Sequence, residues 1–328
     1  MHQKHPALAA KKHPGIKLLS WAMMLTLSGS VLAGCGAAGE ESETAASATR
    51  IVTDATGEVE VPSDPQRVVS TDFYSSSLLV DVGIIPVGTM QGVTEPESRP
   101  QKYIDALQGA AEISTYAEID VEKILELDPD LIIVDSEFSD PETVKRLEEI
   151  APSFKVDVNG DWDDRALSVA DAVNQLDTAK QQQAAFEQRA AQISQDYRDV
   201  LEQNPLGILS LNPNEATWAG YTPTGWASPA WVAVDAQFRE PTDGEAKEHD
   251  QWAWISDELL EKLDNAGILL VLEDEQLERY KNNPLWNSLP AVKAGNVFAW
   301  NDSPATSSFE WGMYNLDSVE NILKQVKN

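Results

Sequence analysis

Apolar and polar residues alternate around a turn at the start of the folded region. Ile51-Val52-Thr53-Asp54, then Gly57-Glu58, then Val59-Glu60-Val61-Pro62 predict a β-hairpin. Arg67-Val68-Val69-Ser70 predicts a short strand, Ser75–Val82 a helix closed by Gly83, and Ile84–Gly88 the next strand. Glu122–Leu127 predicts a helix, followed by Asp128-Pro129-Asp130 and the buried-strand run Leu131-Ile132-Ile133-Val134. Strand–helix–strand alternation of this kind implies an α/β lobe with a largely parallel sheet. From Asp161 to Asn204 there is neither Gly nor Pro, and Asp177-Thr178 offers a cap inside that stretch. Two helices follow, 163–176 and 178–203, the second long enough to span about 40 Å. A second α/β lobe is expected beyond it: strand 207–211, helix near 226–236, helix 257–264, strands 268–272 and 296–300, and a terminal helix 315–326. The expected fold class is α/β, with two lobes, 51–176 and 204–328, each around a central parallel sheet. One long α-helix, 177–203, joins them and leaves a ligand cleft between.

The residues ahead of the hairpin read differently. Lys4, Lys11, Lys12 and Lys17 make a basic start, and an apolar stretch runs from about Leu18 to Leu32. It is shorter than the ~20 residues of a stable membrane span. It ends in Leu32-Ala33-Gly34-Cys35, which resembles a bacterial lipobox, and Cys35 is the single cysteine of the chain. The expectation is a lipoprotein signal peptide over 1–34, cleaved before a lipid-modified (palmitate-type) Cys35. A flexible tether over 35–50, rich in Ala, Gly, Ser and Glu, follows.

Composition narrows the function. The chain holds 54 acidic against 24 basic residues, a net charge of −30. Losing the four leader lysines makes it more acidic still, which argues against nucleic acid and against lying on anionic lipid. Only His249 and Cys35 would remain as nitrogen or sulfur ligands, too few for a zinc site of the usual kind. No G-x-S-x-G elbow, P-loop or G-x-G-x-x-G occurs, so no enzyme class is marked.

An internal echo suggests a duplicated lobe. Asp120–Asp128 precedes the strand at Leu131, and Ser256–Asp264 precedes the strand at Ile268; in both, a Glu lies six residues before an Asp. Val61-Pro62, Pro65–Val69 and Asp81–Gly88 resemble the opening of the iron–siderophore binding proteins of ABC importers. Val121–Ile133 and Leu285–Val297 are similar to two further segments of that family. The resemblance implies the helix-joined two-lobe fold of class III periplasmic binding proteins. It implies a ferric siderophore as transported ligand, no enzymatic cofactor, and a lipid-anchored, extracytoplasmic monomer, best suited to a Gram-positive cell surface. It also implies an ABC importer permease as partner, docked by one exposed Glu on each lobe; Glu122 and Glu258 match those positions.

Loops at the carboxyl ends of parallel strands bind ligands in α/β sheets. Phe73 and Tyr74 follow one such strand. Trp218, Tyr221 and Trp226 follow the strand near 207–211 in a loop with Pro and Gly, and Phe309 and Trp311 follow the last strand. Arg239 is the second-lobe cation placed for a ligand. Aromatic walls with little positive charge suit a neutral or cationic ferric hydroxamate better than a trianionic tricatecholate. Cobalamin or haem on the same fold stays open as an alternative, and a secreted hydrolase as a remoter one.

Overall fold

The computed structural model describes residues 48–95, 99–115, 117–135, 139–158, 160–212, 214–239, 252–272, 274–300 and 305–327. The expected leader 1–34, Cys35, most of the tether 35–50 and His249 lie outside them. Among the described residues no helix is long and apolar enough to cross a membrane.

The chain opens with the expected hairpin, β1 (Thr49–Asp54) and β2 (Gly57–Pro62), paired antiparallel. Asp54 Oδ1 accepts the backbone N–H groups of Thr56 and Gly57 at 2.7 and 3.0 Å, fixing the turn. Gly57 sits at φ +136°, which a side chain would resist.

The first lobe is a five-stranded sheet in the order β5-β4-β3-β6-β7, every neighbouring pair parallel. Its strands are β3 (Val68–Ser70), β4 (Gly88–Met90), β5 (Ala111–Ser114), β6 (Leu131–Asp135) and β7 (Ser153–Val156). Helices α1 (Ser75–Asp81), α2 (Gln101–Leu107), α3 (Val121–Glu126) and α4 (Pro141–Glu148) make the crossovers. Helices cover both faces of such a sheet, so its strands are largely buried. All five residues of β6 are buried.

Helix α5 (Trp162–Ala172) leads into the interlobe helix α6 (Leu176–Asp196). The single helix expected over 178–203 is in fact two. Tyr197 leaves helical geometry at φ −112°, ψ 18°, and α7 (Arg198–Gln203) resumes after it. Tyr197 packs against the main core, and neither Gly nor Pro stands at the break. The 21 residues of α6 make a rod of about 32 Å.

The second lobe is also five-stranded, in the order β10-β9-β8-β11-β12. These are β8 (Leu206–Leu211), β9 (Thr217–Tyr221), β10 (Trp252–Ser256), β11 (Ile268–Val271) and β12 (Val297–Ala299). The strands of this sheet run mostly in one direction, as expected, with one of them reversed. Strands β8, β11 and β12 run parallel, but β9 is antiparallel to both β8 and β10. Only residues 212–216 separate β8 from β9, and a parallel return needs about a dozen or more. Helix α8 (Pro229–Ala233), a 3-10 turn over Asp257–Leu263, a second over Asp274–Tyr280, and α9 (Pro284–Ser288) and α10 (Pro290–Ala294) make the remaining connections. Helix α11 (Phe309–Leu323) closes the chain.

One core cluster runs through both sheets and the helices between them, from Val68 and Ile133 through Phe186 to Ile208 and Leu316. At its centre Trp162, Phe186 and Phe309 pack as a triangle with centroids 5.2–6.2 Å apart. Gly312 of α11 lets the Phe186 ring in; a Cβ there would lie 2.7 Å from it. Polar contacts repeat the junction. Arg189 of α6 bridges Asp317 and Glu320 of α11 at 3.2 and 3.1 Å. The buried Asp81 carboxylate accepts from Tyr103 at 2.7 Å and from Ser308, and pairs with Lys102 at 2.9 Å.

Candidate functional site

The five parallel strands of the first lobe end on one edge, and a cavity of about 560 Å³ opens there. Thr71, Asp72, Phe73 and Tyr74 reach it from the end of β3, Met90 from β4, Thr115 from β5, Asp135 from β6 and Val158 from β7. That edge is where open parallel sheets bind ligands, because successive loops converge there. Trp226 comes from the second lobe to the same cavity and is 39% exposed. A second polar hollow, of about 550 Å³, lies beside it around Ser114, Asp120 and Lys123; the two share Thr115, Glu118, Ile119 and Arg146.

Phe73 and Tyr74 meet edge to face, centroids 5.5 Å apart. Each has a guanidinium over it: Arg99 Cζ lies 4.2 Å from the Phe73 centroid, and Arg165 Cζ 4.8 Å from that of Tyr74. Arg99 is buried and donates to Ser76 and Ser77 Oγ at 3.0 and 2.6 Å and to Phe73 O at 3.0 Å. Arg165 donates to Val158 O at 3.3 Å. Both arginines stack on the rings, and Arg99 also hydrogen-bonds the segment that carries them.

Of the eight ligand-contact candidates, the structure brings Phe73, Tyr74 and Trp226 to one cavity. Tyr221 is 7% exposed and backs Trp226, edge-on at 5.7 Å. Trp218 is withdrawn from the cleft. It sits in the middle of β9, not in a loop, fully buried with Leu211 and Ile255. Phe309 is buried against Phe186, and Trp311 is buried and stacked on Tyr103 at 5.4 Å, so both are packing residues of the lobe junction. Arg239 is half-buried at the amino end of β8, where its N–H donates to Leu206 O at 2.6 Å, away from the strand's carboxyl edge.

Glu122 and Glu258 occupy equivalent places. Each is the second residue of its helix and exposed, behind a capping side chain. Asp120 accepts Lys123 N at 3.0 Å, and Ser256 Oγ accepts Glu258 N at 3.3 Å. The elements that follow, β6 and β11, hold the same position in their sheets. The helix expected over 257–264 is a 3-10 turn, with Leu259 at φ −108°.

The acidic lining was not anticipated. Asp72, Glu118, Asp135 and Asp140 border the cavity, with Arg146 the one basic residue among the described lining. Their signal was positional: Asp72 and Asp135 lie at the carboxyl ends of predicted strands. Asp140 caps α4, accepting Thr143 Oγ1 at 2.6 Å and the N–H groups of Thr143 and Glu142. The Thr143 hydroxyl, then its N–H, holds the Asp140 carboxyl below the usual carboxylate range. Among the described residues no cluster of three or more Asp, Glu, His or Cys could hold a metal ion.

The chain is similar in sequence and fold to known proteins. The chain is 26% identical over 97% of its length, and 100% of the relative's, to the Bacillus subtilis protein named "Probable siderophore-binding lipoprotein YfiY". It is 26% identical to the Bacillus subtilis iron(3+)-hydroxamate-binding protein YxeB, over 86% of this chain and 88% of that one. A solved siderophore periplasmic binding protein from the fuscachelin gene cluster of Thermobifida fusca superposes with a TM-score of 0.65 at 26% identity, covering 81% of this chain and 98% of its own. The family model for periplasmic binding proteins matches residues 68–304, which contain both sheets, the interlobe helix and the cavity; the chain belongs to that solute-binding family.

Proposed function

We propose that the chain binds a ferric siderophore, of the hydroxamate class, in the cavity at the carboxyl edge of the first sheet, and delivers it to an ABC importer. The carrying observation is the meeting of Phe73 and Tyr74 with Trp226 of the opposite lobe at that cavity. A relative named for iron(3+)-hydroxamate binding, aligned over most of both chains, supports the class. The rings supply apolar walls for the chelate's hydrocarbon loops, and the long stiff α6 allows small closing motions of the lobes. The iron travels inside its chelator, so the protein needs no resident cofactor.

Glu122 and Glu258 are the residues that dock on the permease, one per lobe, as exposed carboxylates facing its arginines. Cys35 carries the lipid anchor that keeps the monomer at the outer face of the membrane.

The test is an equilibrium titration of residues 36–328 with ferric hydroxamates, ferric citrate, a ferric tricatecholate, haem and cobalamin, each compared with its metal-free form where one exists. Saturable binding of a ferric hydroxamate, absent without iron, is the expected result. Saturation by haem or cobalamin alone would replace the cargo.

A further inference from the structure

Asp72 is the second residue after β3, and it is 5% exposed. Its Oδ1 is committed, accepting the N–H groups of Tyr74 and Ser75 at 2.8 Å each. Its Oδ2 is buried and takes no donor from the described protein. A buried carboxylate oxygen without a donor is costly, and native structures meet the need with ordered water or with a ligand. The residue lines the cavity, between the Phe73 and Tyr74 rings on its own loop and Asp135 at the end of the adjacent strand β6.

The surroundings fix what kind of donor fits. Asp135, Glu118 and Asp140 border the same cavity and, with Asp72, outnumber Arg146, the one basic residue of the described lining. The buried guanidinium groups nearby direct named donors elsewhere: Arg99 to Ser76, Ser77 and Phe73 O, and Arg165 to Val158 O. An anionic chelate placed against Asp72 would meet like charge at short range in a partly desolvated site, whereas an ammonium would form a charge-assisted hydrogen bond. We propose that Asp72 Oδ2 accepts a hydrogen bond from a protonated amine of the cargo, so that the cleft favours ferric trihydroxamates bearing a cationic group over neutral and polyanionic chelates. This rests on the siderophore reading above and assigns its specificity to one side chain.

The probes are ferrioxamine B, a ferric trihydroxamate with a free terminal ammonium, and the same complex with that amine acetylated. Their iron centres are identical, so a difference in affinity reports the amine. Wild-type protein should bind the acetylated form roughly ten- to a hundredfold more weakly, the range of a hydrogen bond to a charged group. In Asp72→Asn, Oδ1 can still accept the Tyr74 and Ser75 N–H groups. It should therefore melt like wild type and lose most of the discrimination, chiefly by weaker binding of the free-amine form. Equal affinity of wild type for the two forms would overturn the role of Asp72 and leave the siderophore reading standing. So would discrimination undiminished in Asp72→Asn. No binding of either form, with saturation by haem or cobalamin, would overturn both. Should Asp72→Asn fail to fold, the wild-type comparison alone decides.

Discussion

The two sheets share one strand order, with the first strand central, the second and third to one side, and the fourth and fifth to the other. They differ in how the second strand is reached. In the first lobe residues 71–87 separate β3 from β4, enough for a helix and a parallel return. In the second, residues 212–216 allow only a hairpin, and β9 runs backwards. The longer connection leaves a loop on the carboxyl edge, and that loop carries Asp72, Phe73 and Tyr74. The shorter one turns the corresponding residues into a strand and sends Trp218 to the core. A dozen residues of connection length thus decide which lobe lines the cavity with a strand-end loop and which contributes Trp226 to it.

Two tryptophans of the second lobe test this division most severely. Trp218→Ala should cost about 3–5 kcal/mol in urea unfolding, the usual loss for a large aromatic removed from a core. Trp226→Ala, on a half-exposed ring, should leave stability within about 1 kcal/mol and weaken cargo binding by roughly tenfold. Comparable destabilisation by the two would break the comparison.

Each lobe also keeps a buried phenol against a carboxylate. Tyr103 donates to Asp81 and Tyr280 to Asp257, both at 2.7 Å. Burial first and the carboxylate second raise Tyr103 well above an ordinary tyrosine. Burial and the Asp257 hydrogen bond raise Tyr280, with the Arg279 hydrogen bond opposing. The folded state therefore holds these protons while the unfolded chain releases them above about pH 10, so stability falls as pH rises past that point. Tyr103→Phe and Tyr280→Phe should each flatten the alkaline arm of a stability–pH curve; an unchanged slope in both would count against this packing.

The smallest effects on folding belong to the two residues proposed to dock. Glu122→Ala and Glu258→Ala should each change stability by no more than about 0.3–1 kcal/mol, the value of a first-turn carboxylate. Cargo affinity should stay at the wild-type level while uptake through the importer falls, measured with iron-loaded cargo in cells. Lost cargo binding in either variant would move these residues from docking into the cleft.

The parts of the fold readable in advance were those with strong local signals. Leu131–Val134 and Ile268–Leu272 are continuous apolar runs, and the absence of Gly and Pro from 161 to 204 marked the long helix. Strand β9 was hidden because Ala219 and Gly220 blur its alternation and because Pro and Gly follow within a few residues. The helix break at Tyr197 has no Gly or Pro to mark it in the sequence. Of the site, strand ends pointed to Phe73 and Tyr74, and Trp226 was found as an aromatic in a loop. The arginines behind the rings and the carboxylates at the floor come from several segments, and only the folded sheet brings them together.

If cargo sits on the carboxyl edge of the first sheet under Trp226, hydrogen–deuterium exchange with and without a saturating ferric trihydroxamate should reveal it. Protection is expected in residues 71–75, 115–119 and 139–143 and in the loop around Trp226, with α9, α10 and β12 unchanged. Protection of α9, α10 or β12 with those loops unaltered would place the cargo elsewhere.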